Sequence, residues 1–182
     1  MIGFYSEYFN EISSKISKVE AEELHDLSKL LKECQKSGRK IIIAGNGGSS
    51  AIASHVSVDL TKAAGIRAIN FNEADLITCF SNDYGYENWV ARALASFGDP
   101  GDILILVSSS GQSRNMLNAA SIAKSMDIPV VTFSGFLSSN PLRAMGKLNF
   151  WVDSDQYNIV EMTHHIWLLA VVDNLVELKN AS

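Results

Sequence analysis

The sequence predicts a parallel, doubly wound α/β domain. Three observations carry that reading. Short apolar runs show no alternation, segments with helical spacing separate them, and Gly/Ser-rich stretches close two of the runs. A strand buried on both faces has no polar side to alternate, so an unbroken apolar run is the mark of a parallel strand. Strands separated by helices imply crossovers and a parallel sheet.

The elements follow in order. Residues 2–18 carry Phe4, Tyr5, Tyr8, Phe9, Ile12 and Ile16, a helical spacing with a broad apolar stripe. A second helix is expected over 21–36. The first buried strand covers 40–44, and a helix over 49–63 follows its glycines. Residues 68–71 suggest a short strand. Residues 103–107 form the second strong apolar run and lead to a helix over 114–126. Strands over 130–134 and 148–152 precede a last helix over 159–178. No repeat, low-complexity tract or linker interrupts the chain. Residues 1–182 therefore read as one domain, led by a helical pair within 1–37.

Composition excludes several classes. A chain of 182 residues suffices for one core. The net charge of -5 argues against nucleic acid or an anionic membrane surface as the main partner, because such sites need excess Lys and Arg. No apolar run is expected to span a membrane, and the N-terminus lacks a signal-peptide core. Cys34 and Cys79 form no metal or disulfide pattern, so a reducing cytoplasm is the expected location.

The two polar loops are the informative features. GNGGSS (45–50) and SSSGQS (108–113) both end an apolar strand and both precede a helix. Glycines let the backbone approach a ligand, helix-start amides point outward, and hydroxyls donate. Asn46, Gly47, Gly48 and Ser49 serve the first loop. Ser108, Ser109, Ser110 and Ser113 offer four hydroxyls in the second. Neither loop has the GxGxxG or GxxxxGK[ST] pattern of nucleotide sites. One such loop could be explained by capping and turning. Two at neighbouring strand ends point to a small phosphorylated molecule, since ligands of these sheets sit at the carboxyl ends of strands.

Groups for chemistry lie on two helices. His55 and Asp59 are four apart and share a helix face. Glu161, His164 and His165 fall in an apolar helix, where polar groups are costly unless paired. Glu161 shares a face with His165. The plainer reading of these groups is a salt bridge or a satisfied polar contact. Asn82 and Asp83, in SNDYGYE, are turn formers on the same plain reading.

Taken together, strand–GNGGS–helix and strand–SSSGxS–helix resemble the sugar isomerase (SIS) domain, and within it the phosphoheptose isomerase branch. The resemblance extends over nearly the whole chain. It implies a five-stranded parallel sheet in a flavodoxin-like three-layer sandwich. It implies a homotetramer with leading helices between subunits and active sites at the interfaces. The implied reaction converts sedoheptulose 7-phosphate to D-glycero-D-manno-heptose 7-phosphate by enediol proton transfer. Asn46, Gly47, Gly48, Asn82 and Asp83 carry over as sugar contacts. The family's glutamate base falls at Asp59, one methylene shorter, and zinc would involve His55 and Asp59. Glu161 falls at the family's glutamine, and Leu169 at its zinc-binding, proton-transferring histidine. His165, one turn earlier, or His164 would then replace that histidine. His55, Asp59, Glu161 and His165 would make a four-ligand zinc set. The departures at 59 and 169 favour a competing expectation: a non-catalytic SIS protein that binds phosphosugars or protein partners.

Overall fold

The computed structural model describes residues 2–181; Met1 and Ser182, the ends of the predicted domain, lie outside the described residues. Two helices lead, α1 (Ile2–Ile16) and α2 (Ala21–Lys36). Then come β1 (Ile41–Gly45), α3 (Gly48–Asp59), β2 (Ala68–Asn70), α4 (Ala74–Tyr84) and α5 (Trp89–Phe97). The chain continues through β3 (Ile103–Ser108), α6 (Arg114–Ser125), β4 (Val130–Ser134), β5 (Leu148–Trp151) and α7 (Tyr157–Asn180). The five strands form one sheet in the order β2-β1-β3-β4-β5, and every pairing is parallel.

Alternate residues of the central strands feed two cores. Ile41, Ile43, Ile103 and Ile105 pack with Leu27 and Leu31 of α2, Ile52 and Val56 of α3, and Trp167 and Leu168 of α7. Ile42, Ala44, Leu104 and Leu106 pack on the other face with Trp89 and Leu94 of α5 and Met116 of α6. All of β1 and β3 is buried. The result is the three-layer α/β sandwich that the unbroken apolar runs imply. From β1 the chain winds to β2 on one side, then returns to β3 on the other. That reversal opens a crevice at the carboxyl ends of β1 and β3.

Three features depart from expectation. The segment between β2 and β3 holds two helices that periodicity did not reveal. In α4 no residue is fully buried; its Leu76, Ile77 and Phe80 pack partly buried against the second core. The helix expected over 49–63 is α-helical only to Asp59. It continues as a π-helical turn, Leu60–Ala64, closed by Gly65 at φ 73°; such turns recur near functional sites. Finally, α7 is long and apolar enough to cross a bilayer by length and composition, contrary to the expectation that no segment is. Half of that apolar window is buried inside the protein. It packs on α1, α2 and α3, as a core helix does.

Candidate active site

A cavity of about 210 Å³ opens at the β1/β3 crevice, lined by Asn46, Ser49, Val107, Ser108, Ser109, Ser110, Ser113, Tyr157 and Glu161. Both polar loops thus face one space. The three glycines of the first loop do three different things. A Cβ on Gly45 would lie 2.7 Å from the Ser49 backbone, so glycine lets α3 start directly against β1. Gly47 has φ 56° and ψ -122°, a conformation that side chains disfavour. A Cβ on Gly48 would lie 2.1 Å from Glu161 Oε2, so this glycine makes room for a carboxylate from α7. Ser49 Oγ donates to Glu161 Oε1 at 3.2 Å. The carboxylate therefore rests at the N-terminus of α3, where the helix dipole favours negative charge.

In the second loop Ser108 and Ser109 are buried. Ser108 Oγ lies 3.4 Å from Ser113 Oγ, and Ser113 begins α6 as its N-cap residue. The Gln112 N–H donates to Ser110 Oγ at 3.2 Å. Ser109 Oγ is buried with no protein partner, yet it lines the cavity. A buried hydroxyl without a partner is costly, and an anion in the cavity would satisfy it. The wall has no fixed positive side chain; hydroxyls and helix-start amides are the groups that would meet a phosphate.

A second cluster runs along the α3/α7 seam. His55 Nε2 lies 3.1 Å from Asp59 Oδ2, and His165 Nε2 lies 2.9 Å from His55 Nδ1. The rings meet edge to face at 4.9 Å. In the neutral form of His55 the carboxylate accepts from its Nε2–H and its Nδ1 is an acceptor, so that His165 donates from Nε2 and carries its lone pair on Nδ1. Burial lowers the His165 pKa, with His55 adding to the effect and Asp59 opposing it. His55 lies six residues after Ser49 on α3, about 9 Å along the axis at 1.5 Å per residue. Glu161 precedes His165 by one turn of α7, so the seam leads from the cavity to the histidines.

Other predicted residues lie elsewhere. His164 is fully buried. Its Nε2 is 3.0 Å from the Ser134 carbonyl, and its ring meets Phe133 edge to face at 5.6 Å. It belongs to the core and does not line the cavity, which corrects its place among the proton-transfer candidates. Burial holds its pKa down to about 4. Folded His164 thus stays neutral while the unfolded chain takes a proton below its ordinary value near 6.5. Stability is unaffected above that pH and falls between it and about 4, by about 3 kcal/mol for a shift of this size. Urea unfolding at pH 7 and pH 4 checks this: His164→Gln should lose less stability than the parent across that interval.

Leu169 packs against the apolar cluster of α2, α3 and α7. Asn82 and Asp83 sit in the last turn of α4, exposed, and bond to each other at 2.9 Å. Within one chain they do not line the cavity. The four proposed zinc donors have suitable nitrogen and oxygen chemistry, but they do not converge. His55 commits one nitrogen to His165 and the other to Asp59, while Glu161 is held at Gly48 and Ser49. Among the described residues no group of three or more His, Cys, Asp or Glu side chains is arranged to hold a metal.

Sequence reasoning missed three residues. Tyr157 opens α7 and forms part of the cavity wall, its ring edge to face with Phe136 at 4.9 Å. Asn115 pairs with Asn46 in both directions, at 3.1 and 2.8 Å. Tyr86 donates its hydroxyl to Asn46 Oδ1 at 3.1 Å. A signal for Asn115 existed: it falls on the same α6 face as Met116, Ala119 and Ala123, which are buried, and a polar residue on a buried face needs a partner.

The family model for the SIS domain matches residues 4–135. The phosphoheptose isomerase of Helicobacter hepaticus is 34% identical over 155 residues, covering 81% of this chain and 78% of that protein. The phosphoheptose isomerase of Colwellia psychrerythraea is 32% identical over 157 residues, covering 82% and 78%. The fold matches that of a phosphoheptose isomerase from Francisella tularensis with a TM-score of 0.87 at 24% identity, over 97% of this chain and 96% of that one. The chain belongs to the SIS domain family, in its phosphoheptose isomerase branch.

Proposed function

We propose that this protein interconverts sedoheptulose 7-phosphate and D-glycero-D-manno-heptose 7-phosphate. The observation that carries the reading is one cavity shared by two hydroxyl- and amide-rich loops, with a carboxylate–histidine chain leading away from it. The phosphate would occupy the Ser108–Ser110 and Ser113 side. The sugar hydroxyls would meet Asn46, Gly47, Gly48, Ser49 and Glu161. The chain of the sugar would then run along the seam toward His165, His55 and Asp59.

In that pose Asp59 takes the proton from the carbon beside the ketone, giving an enediol. Neutral His165 moves protons between the two oxygens, and Asp59, its acquired proton exchanging with solvent in the enediol stage, delivers a proton to the neighbouring carbon. The Asp59–His55–His165 hydrogen-bond chain supports this division, because it joins the carboxylate and both imidazoles in one line of proton-transfer groups. His165→Ala should lower kcat by about 10²- to 10³-fold while calorimetric affinity for sedoheptulose 7-phosphate stays within about threefold. Unchanged kcat would remove His165 from the reaction. A binding-only role is disfavoured, since it leaves this chain of groups without use.

Zinc enters only as an optional ion on His55, Asp59, Glu161 and His165. Their donor chemistry suits it, but their present arrangement does not, and no step is assigned to it. The remaining expectations form part of the same proposal: one domain over 1–182, a cytoplasmic location, and a homotetramer in which the helices within 1–37 pack between subunits. Phe4, Tyr5 and Phe9, each more than 60% exposed on α1, support such packing. Asn82 and Asp83 would then meet the sugar in a neighbouring subunit's site.

A further inference from the structure

Helix α6 carries two asparagines that reach out to the loops around the cavity. Asn115 is 2% exposed. Its Oδ1 accepts from the Met116 N–H at 3.1 Å, and a backbone N–H can only donate. This contact fixes the Asn115 amide, with oxygen toward its own helix start and NH2 toward Asn46. Asn46 must then match it: its Nδ2 donates to Asn115 Oδ1, and its Oδ1 accepts from Asn115 Nδ2. The Tyr86 hydroxyl supplies a second donor to Asn46 Oδ1. Three residues along α6, Asn118 donates to the Glu87 carbonyl at 2.8 Å and to Asn88 Oδ1 at 2.9 Å. Those bonds hold the segment that presents Tyr86.

We propose that Asn115 and Tyr86 are positioning residues that lock the Asn46 amide, so that the first loop offers the ligand an N–H donor and never a carbonyl. Both acceptor sites of Asn46 Oδ1 are taken, as is one of its two N–H groups. The remaining N–H is the one polar group of this side chain left for the cavity that Asn46 lines. An unlocked amide would turn over freely and present its oxygen half the time, losing the N–H donor offered to a sugar oxygen. Fixing the donor beforehand removes that loss and the cost of ordering the side chain on binding. The inference rests on the reading of the cavity as a phosphosugar site, but its first test does not need turnover.

The test uses the full-length 15N-labelled protein with Asn115→Asp and Tyr86→Phe. Aspartate at 115 keeps the acceptor for Met116 but has no NH2 for Asn46, and it turns a carboxylate oxygen toward the Asn46 oxygen. Phenylalanine at 86 removes one exposed hydroxyl and leaves the core intact. The side-chain NH2 signals of Asn46 are identified by their loss in Asn46→Asp. In the free protein they should shift and exchange faster with water in both variants. The Kd for sedoheptulose 7-phosphate should rise about 10- to 100-fold in Asn115→Asp and about 3- to 10-fold in Tyr86→Phe, with KM following Kd and kcat within about threefold of the parent. Unchanged Asn46 signals in both variants, or unchanged Kd in both, would overturn the proposal. A parent that binds the sugar without converting it would end the isomerase reading and leave the lock standing. With a parent that does not bind the sugar, the Asn46 signals of the free protein decide alone: shifted signals support the lock, and unshifted ones overturn it.

Discussion

Asp59→Asn should lower kcat for sedoheptulose 7-phosphate by about 10²- to 10⁴-fold, with inorganic phosphate binding within about threefold of the parent. The change is nearly isosteric. The amide oxygen can still accept from His55 Nε2–H, so the His55–His165 pair keeps its geometry. What disappears is a group able to take a proton from carbon. A loss of that size corresponds to about 3–5 kcal/mol of transition-state stabilisation. Phosphate binding should survive because Asp59, in the last turn of α3, lies outside the serine loop where the phosphate would bind. Steady-state kinetics and phosphate calorimetry on the purified variant check both halves. Near-parental kcat would remove Asp59 as the base.

The second large effect is expected at Gly111. It holds the serine loop at φ 63°, and a Cβ there would lie 2.0 Å from Asn140 Oδ1 and 2.3 Å from Asn140 Cγ. Asn140 cannot step aside cheaply. It is 2% exposed, and its NH2 is held by Ser134 Oγ and the Gly135 and Leu137 carbonyls. Gly111→Ala adds backbone strain of about 1–2 kcal/mol to an overpacking cost of about 1–3 kcal/mol. The sum, about 2–5 kcal/mol, should lower Tm by about 5–15 °C for a chain of this size. It should also weaken phosphosugar binding by more than the stability loss alone accounts for, because Ser108 to Ser113 would be displaced. Thermal unfolding and calorimetry read the two effects separately. A parental Tm would show that the loop relaxes without cost.

Much of this architecture is legible in the sequence because burial on both faces is a strong constraint. The runs at Ile41–Gly45 and Ile103–Ser108 tolerate no polar residue until their carboxyl ends, so strand, loop and cavity are written in one pattern. The loops read well for the same reason: glycine at 45, 47 and 48 answers three separate steric demands. Helices α4 and α5 are harder to read because they are short, 11 and 9 residues, which leaves few turns for a period to show, although Leu76, Ile77 and Phe80 of α4 and Trp89, Val90, Ala93 and Leu94 of α5 do form apolar faces. His164 and His165 were indistinguishable by sequence, each within one turn of Glu161. A rotation of one residue, about 100° around the helix, puts one in the core against Phe133 and the other on the seam beside His55. The Asn46–Asn115–Tyr86 contacts join residues 46, 86 and 115 across the sheet's reversal, and local spacing carries no record of such pairings.

The most direct test of the isomerase account is NMR of the protein with sedoheptulose 7-phosphate in heavy water, with and without zinc. The account predicts an accumulating aldose 7-phosphate and deuterium on the carbon beside the carbonyl, both lost in Asp59→Asn. Saturable binding of the ketose with neither product nor deuterium would contradict it, and would leave a phosphosugar-binding protein with no isomerase chemistry.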